Sequence, residues 1–587
     1  MRNLWVWVLV VLLLMSLVGE MPWRKFASSQ VTLTPDEAPG SHRTLFILVH
    51  GFEPDEKLLA GTAAALAAKG DVIRVAYPAR LLSNADPQAL TDDLSERLER
   101  AIPEGRYTDI RFVAHSSGAL IARRTLLNGW RDHKSWAKHV TRMALLAGMN
   151  RGWNVSGLRP LDMSEWKRWN WRIGEWFGRL TGTGSFILDL KTGTEFVADL
   201  RLDWMNAMRD PAKSGQIEVV QLLGDIDDVV SLADNEDLRA MQSAKYALVR
   251  VRGTGHKSII DLGDPKMGAY RTTKLLLAAT GPFDEVVAQN EEQPYTTDPS
   301  VTSIVFVLHG IRDLGEWSSQ FETHIRALGP SGVAIVSPRY GYLGMGPFLL
   351  PEVRERYVRW FMDEYTETLA RYPNVTPDHI QFFGHSNGTY VLADALKDYR
   401  SLRIDRIVFA GSVVPRKFDW RKLVEAGQVK HVRNYVATTD WVVALFPRLF
   451  EMRPAAWLKN DLGSAGFNGF DAGGGCDGSP ATPAAAEPVV ENVCYIAGEH
   501  SAFDSDARVA EIAAYLVAGG SQAPARVERT GIAAWLLALP AVVWLVWVAL
   551  AGILVYVGVR VTSSAPSPTW VALVLFVLLV LRTLQTV

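Results

Sequence analysis

Two short runs in this chain have the residue types and spacing of serine-based acyl chemistry: Ala114-His115-Ser116-Ser117-Gly118 and Gly384-His385-Ser386-Asn387-Gly388. Each follows an apolar, strand-like stretch and precedes a helix-forming one, and small residues at both ends permit a tight strand–turn–helix bend that lifts the central hydroxyl clear of its surroundings. The first run has Ala114 where the second has Gly384, which makes the second the closer match. A serine is a poor nucleophile unless a histidine accepts its proton and an acid holds that imidazole in the right tautomer. Downstream of Ser116, Asp227 and then His256 fit this requirement in the order Ser, Asp, His, with Asp228 a rival for the acid and Asp225 a further turn carboxylate. Downstream of Ser386 the same order is met by Asp440 and His500. His115 and His385, inside the bends, read as packing or loop residues rather than bases.

The elements that must carry these groups repeat as well. Short β-branched runs alternate with helical stretches, the pattern of parallel βαβ units covered on both faces. In residues 42–280 strands are expected at 44–49, 72–76, 110–114, 142–146, 217–223 and 247–251, and in residues 302–520 at 303–308, 333–336, 380–383, 406–409, 432–436 and 493–496. Residues 281–301, charged and containing proline, read as a linker. The strand at 44–49 runs into His50-Gly51-Phe52, and the one at 303–308 into His309-Gly310-Ile311, so the motifs recur in the same order and a repeated domain is the economical explanation.

On these motifs both halves resemble α/β-hydrolase domains of the lipase and esterase type, over about 450 residues. The resemblance implies a mostly parallel sheet flanked by helices, in two tandem copies. It also implies an oxyanion hole made by the backbone N–H after the nucleophile and one just after the early His-Gly. Those groups would be Ser117 and Phe52 in the first half and Asn387 and Ile311 in the second.

The halves differ in their insertions. Residues 150–215 in the first occupy the place where caps are usually inserted. Within them Trp166, Trp169, Ile173, Trp176, Phe177 and Leu180 fall near one helical face and Lys167, Arg168, Arg172 and Arg179 on the others. That is either an interfacial lid or a cap helix packed on its own domain. The second half carries an apolar Gly-rich loop at 341–351 and a Gly-, Ala- and Pro-rich insertion at 463–488 whose composition implies a mobile tip.

With 587 residues and 48% hydrophobic content the chain allows several cored domains. Its 61 Lys+Arg against 63 Asp+Glu leave a net charge of −2, so no global field recruits nucleic acid. Two cysteines, Cys476 and Cys494, are too few for a disulfide framework or a four-ligand zinc site; one bridge is allowed, and buried free thiols are the commoner reading. No nucleotide, flavin or metal motif is present, so no cofactor is expected. The apolar runs at residues 4–18, 531–559 and 561–581 read as an N-terminal anchor within residues 1–25 and two C-terminal transmembrane helices within 531–582. Arg24, Lys25, Arg526, Arg529 and Arg582 against Arg2 and Arg560 lean the catalytic region to the cytoplasmic face of a lipid bilayer. The combined expectation is an integral membrane serine hydrolase acting on ester or acyl-lipid substrates, with oligomeric state open. The alternatives are an acyltransferase, thioesterase or amidase, or a binding and regulatory protein with one or both sites silent.

Overall fold

A computed structural model describes residues 31–35, 42–52, 56–80, 83–153, 174, 178, 182–227, 229–230, 245–289, 297–311, 317–328, 331–338, 348, 351–445, 447, 461–476 and 490–519. The chain forms two compact units that change over between Thr297 and Asp298, with Tyr365–Arg371 grouped in the first.

The first unit is built on a seven-stranded sheet of β1 (Thr32–Pro35), β2 (Thr44–Val49), β3 (Asp71–Ala76), β4 (Asp109–His115), β5 (Val140–Leu146), β6 (Glu218–Gly224) and β7 (Lys245–Val251). Its order is β1-β3-β2-β4-β5-β6-β7, parallel throughout except for the antiparallel edge pair β1–β3. Side chains alternate faces along a strand, and β2 shows the consequence. Leu45, Ile47 and Val49 enter one core while Phe46 and Leu48 enter the other. The main helices are α1 (Pro87–Ala101), α2 (Gly118–Arg131), α3 (Glu195–Met208) and α4 (Gly268–Thr280). Local chemistry fixes α1, where the Asp86 carboxylate accepts from Gln88 N–H at 2.8 Å and Pro87 opens the first turn.

The second unit has a six-stranded, wholly parallel sheet of β8 (Ser303–Leu308), β9 (Val333–Val336), β10 (Ile380–His385), β11 (Ile404–Ala410), β12 (Val429–Ala437) and β13 (Val490–Ile496). Its order, β13-β12-β11-β10-β8-β9, is the order of β7-β6-β5-β4-β2-β3 in the first sheet. In both, the chain leaves a central strand, adds a neighbour on one side and then crosses to the other. The crevice at the strands' carboxyl ends therefore opens at β2/β4 and at β8/β10, the usual place for a ligand in an open α/β sheet. Helices α5 (Pro351–Arg371), α6 (Asn387–Asp398) and α7 (Asp506–Ala518) accompany this sheet. One face is an aromatic ladder in which Phe361 meets Phe306 and Phe382, Phe382 meets Phe409, and Phe409 meets Trp420.

Two expectations need correcting. No helix among the described residues is long and apolar enough to cross a membrane, which stands against an integral membrane protein with three spans and against the sidedness argued from them. The longest described helix, α5, is charged along its whole length, and the apolar runs at 4–18, 531–559 and 561–581 lie outside the described residues. Cys476 and Cys494 are not free thiols but form a disulfide across a sequence separation of 18. The first part of the Gly-rich insertion packs as an ordered strap, and the tip expected to be mobile lies outside the described residues. Residues 461–476 run across the end of β11, with Gly463, Ala465 and Gly466 N–H donating to Val413, Val414 and Ser412 carbonyls at 2.8, 3.1 and 2.8 Å. Asn492 on β13 clamps the same strap, donating to Phe470 and Gly474 carbonyls at 2.8 and 2.9 Å. The bridge closes the strap onto β13 just before the loop that carries His500, and residues 477–489 lie outside the described residues.

Because that bridge closes a short loop, breaking it with Cys476→Ser or Cys494→Ser is expected to destabilise the second unit by about 2–4 kcal/mol. Denaturant unfolding with and without reductant checks this; reductant should lower the wild-type midpoint to that of the variants and leave theirs unmoved.

Candidate active site

Both elbows have the backbone that the chemistry demands. Ser116 and Ser386 sit at φ 55° and 51°, an unfavourable region for a residue with a Cβ. The turn is enforced by glycines that admit no side chain. A Cβ on Gly118 would fall 2.6 Å from the Val49 carbonyl oxygen, and one on Gly388 would fall 2.4 Å from that of Leu308. Gly51 and Gly310, of the two His-Gly pairs, press against the serines themselves; a Cβ on either would lie 2.7 Å from the serine Cβ. Ser116 N–H donates to the Leu146 carbonyl at 3.0 Å and Ser386 N–H to that of Ala410 at 3.1 Å, hanging each elbow from the next strand. Ala114 is fully buried without disturbing this arrangement.

In the first unit the three expected residues meet. Ser116 Oγ–H donates to His256 Nε2 at 2.8 Å, and His256 Nδ1–H donates to Asp227 Oδ2 at 3.1 Å. The other carboxylate oxygen, Asp227 Oδ1, accepts from Val229 and Val230 N–H at 2.8 and 2.9 Å, so the acid is held by its own turn while it holds the imidazole. Asp225 takes no part in this contact, since its Oδ1 accepts from Thr254 N–H. Asp228 lies outside the described residues. The N–H groups of Ser117 and Phe52 make no hydrogen bond to a described backbone group. Met149 Sδ sits 3.6 Å from Ser116 Oγ and forms an apolar wall there.

The second unit assembles less completely. His500 Nδ1–H donates to Asp440 Oδ2 at 2.9 Å, and Asp440 Oδ1 accepts from Val443 N–H at 3.0 Å. Ser386 makes no hydrogen bond to His500 among the described residues. The imidazole rests instead on Gly411, at φ 55°, where a Cβ would fall 2.8 Å from His500 Cε1. Ile311 and Asn387 directly follow Gly310 and Ser386 in the chain.

The elbow histidines have a specific task that the sequence does not announce. His115 Nε2–H donates to the His256 carbonyl at 3.0 Å and His385 Nε2–H to the His500 carbonyl at 3.3 Å. Each ties the loop of the base to the elbow of the nucleophile. Burial, followed by the neighbouring imidazole, depresses both as bases, His115 to about 3 and His385 well below the ordinary histidine value. They stay neutral and donate, as this role requires. At the other end of the crevice Tyr77 stacks on His50 with ring centroids 4.1 Å apart and donates its hydroxyl to the His50 carbonyl, which fixes the His-Gly turn.

The described part of the 150–215 insertion packs on its own unit. Trp204 lies beneath the Arg123 guanidinium at 4.8 Å, Arg124 pairs with Asp203 at 2.6 Å, and Trp153 donates to the Ile187 carbonyl at 2.6 Å. Trp166, Trp169, Ile173, Trp176, Phe177 and Leu180 lie outside the described side chains, as does most of the 341–351 loop.

Strand order, the position of the elbow after the third parallel strand and its positive-φ serine make the architecture α/β-hydrolase-like. No protein-family model matches the chain, and no curated protein does. Among solved structures the chain is similar to carboxylesterases of the thaumarchaeon Nitrososphaera gargenis, at 14% identity and a TM-score of 0.28 over 43% of this chain and 97% of that one. A carboxylesterase of Bacillus subtilis matches at 11% and 0.26 over 47% and 99%. A monoacylglycerol lipase of Paleococcus ferrophilus matches at 13% and 0.28 over 44% and 100%. At such scores the likeness adds nothing to what strand order and elbow geometry already carry.

Two pH effects follow. At His500 burial opposes the imidazolium, but the charge and hydrogen bond of Asp440 outweigh it, so its pKa is raised. Reactivity of Ser386, measured by fluorophosphonate labelling in a Ser116→Ala background, should therefore rise with a midpoint above the ordinary value of about 6.5, and Asp440→Asn should move that midpoint down. His115 works in the opposite sense. Its folded pKa is depressed to about 3, so the stability gained by keeping it neutral is present above about 6.5 and is lost as pH falls toward the folded value. Urea unfolding between pH 7 and pH 4, at roughly unit intervals, should show a shallower loss in His115→Gln than in wild type.

Proposed function

We propose that the chain is a serine hydrolase of two tandem α/β-hydrolase domains that cleaves carboxylic esters through an acyl-enzyme. The single observation that supports this most is the continuous hydrogen-bonded line from Ser116 Oγ through His256 to Asp227 on a strained elbow. In the mechanism His256 Nε2 takes the Ser116 proton as Oγ attacks the ester carbonyl carbon. Asp227 stabilises the imidazolium that results, and the N–H groups of Ser117 and Phe52 receive the oxyanion. Collapse of the tetrahedral species breaks the carbonyl–alkoxy bond, and the imidazolium proton leaves with the alcohol. Water then attacks the acyl-enzyme, giving its proton to His256, and the carboxylic acid departs as Ser116 regains its hydrogen. An acyltransferase would differ only in that a second alcohol takes the place of water. With the membrane spans corrected and the Trp-rich helix outside the described residues, the substrate class is carboxylic esters without further restriction to lipids.

A division of labour belongs to the same proposal. The absence of a Ser386–His500 hydrogen bond among the described residues favours the first domain as the main catalyst and the second as a slower or subordinate site.

Fluorophosphonate labelling of the full chain tests both parts. Ser116→Ala should remove most of the labelling, Ser386→Ala little, and the double variant all of it, with Ser116 reacting at least tenfold faster. Asp227→Asn should lower ester turnover by about 10³-fold or more while leaving the fold intact. An unlabelled wild type beside a labelled control esterase would sink the serine-hydrolase reading, and faster labelling of Ser386 would reverse the assignment of roles.

A further inference from the structure

A hollow of about 430 Å³ on the first unit is lined by Arg250, Arg252, Met267, Tyr270 and Lys274, none of them a member of the Ser116–His256–Asp227 line. Its construction is simple. Arg250 lies on β7 and Arg252 in the turn directly after it, and β7 is the terminal strand of its sheet. Met267, Tyr270 and Lys274 follow the three- and four-residue spacing that puts side chains on one helical face, at the start of and along α4. Three of the five lining side chains are cations and none is an acid, in a chain whose net charge is −2. Neither guanidinium has a hydrogen bond or ion-pair partner among the described residues. Lys274 donates to Gln289, a neutral partner, and lies 5.6 Å from the centre of the Tyr270 ring. Asp225 feels the charge of Arg250, but its Oδ1 is engaged by Thr254 N–H at 3.2 Å and it does not line the hollow.

Unpaired like charges repel, so gathering three of them around one concavity costs stability unless something anionic relieves it. Guanidinium forks suit the tetrahedral oxygens of a phosphoryl group, and a lysine adds a point charge. Tyr270 and Met267 supply an aromatic and a thioether surface for an apolar body attached to that group. We propose that this hollow is a binding site for a small organic phosphate, a phosphoryl group with an apolar or aromatic substituent, separate from the Ser116 site.

The site is also mechanically connected to the catalytic loop. Arg252 is followed directly by Gly253-Thr254-Gly255-His256. Gly253 adopts φ 59°, and a Cβ there would lie 3.5 Å from the Met267 methyl group. Thr254 Oγ1–H donates to the Arg252 carbonyl at 3.0 Å, and Arg271 of α4 donates back to Thr254 Oγ1 at 3.3 Å. A ligand that draws Arg250 and Arg252 toward α4 therefore acts on the segment that positions His256, so occupancy should alter turnover as well as charge.

Binding is measured on the full-length protein by calorimetry at fixed ionic strength, with phenyl phosphate, inorganic phosphate and phenol as probes. Phenyl phosphate should bind saturably, inorganic phosphate at least several-fold more weakly, and phenol not measurably. The double variant Arg250→Gln, Arg252→Gln should weaken phenyl phosphate at least tenfold while its far-ultraviolet circular dichroism and thermal midpoint stay those of wild type, and Lys274→Gln should weaken it less. Ser116→Ala should bind phenyl phosphate as wild type does, so the test survives failure of the hydrolase reading. No saturable binding to folded wild type would overturn the proposal. So would undiminished binding in the double-arginine variant, which would put the phosphoryl group elsewhere, for instance in the oxyanion hole.

Discussion

The constraint on which everything else depends is the backbone of a single residue in each unit, the serine held at positive φ. That conformation costs on the order of 1–3 kcal/mol for a residue with a side chain, and it persists only because its surroundings leave no alternative. Gly118 and Gly388 let the following helix pass within van der Waals limits of the neighbouring strand, β2 or β8, Gly51 and Gly310 let the His-Gly turn press against the serine, and the strand on the other side takes the serine N–H. The sheet order is what brings these three elements together, since β2 and β8 flank the strands that end in the elbows. Strain, glycine placement and topology are therefore one device described at three scales.

The strands are readable in the sequence because parallel strands buried on both faces are nearly continuous β-branched runs. Those at 44–49, 303–308 and 333–336 coincide with the observed limits, and the others differ by a few residues at their ends. The edge strand β1 escapes notice for the complementary reason. Its sequence, Thr-Leu-Thr-Pro, is short, mostly exposed and ends in proline, and only its tertiary pairing with β3 makes it a strand. Of the candidate site residues, the histidines and acids are legible as an order along the chain, but which of Asp225, Asp227 and Asp228 faces the imidazole is a matter of turn geometry. The donors His115 and His385 are visible only as residue types, since their acceptors are 141 and 115 positions away.

The strap at 461–476 shows what the glycines of the insertion's first part do. Spaced for tight turns beside the last strand, they serve close approach. A Cβ on Gly466 would fall 2.3 Å from Ser412 N, and one on Gly473 would fall 2.3 Å from the Val490 carbonyl oxygen. The disulfide belongs to the same arrangement, because a Cys476 carried on a segment packed against β12 and β13 is no longer a loop thiol but a neighbour of Cys494. Flexibility in the unfolded chain and tight packing in the folded one are both properties of glycine, and composition alone does not tell them apart.

The same residue type separates the two sites. The position that follows the strand beside each elbow is Ala147 in the first unit and Gly411 in the second, and both adopt positive φ. Ala147 carries a methyl group at that backbone, and in this unit His256 reaches Ser116 at 2.8 Å. Gly411 carries none, and the His500 ring rests in contact with its backbone. The Asp440 carboxylate keeps its hold on Nδ1 in either case, since an acid fixes one end of the imidazole and leaves the ring free to swing about it. Both units carry a serine, an acid and a histidine in the same order, so what separates the connected line from the interrupted one is where the ring rests, against Ser116 in the first unit and on Gly411 in the second.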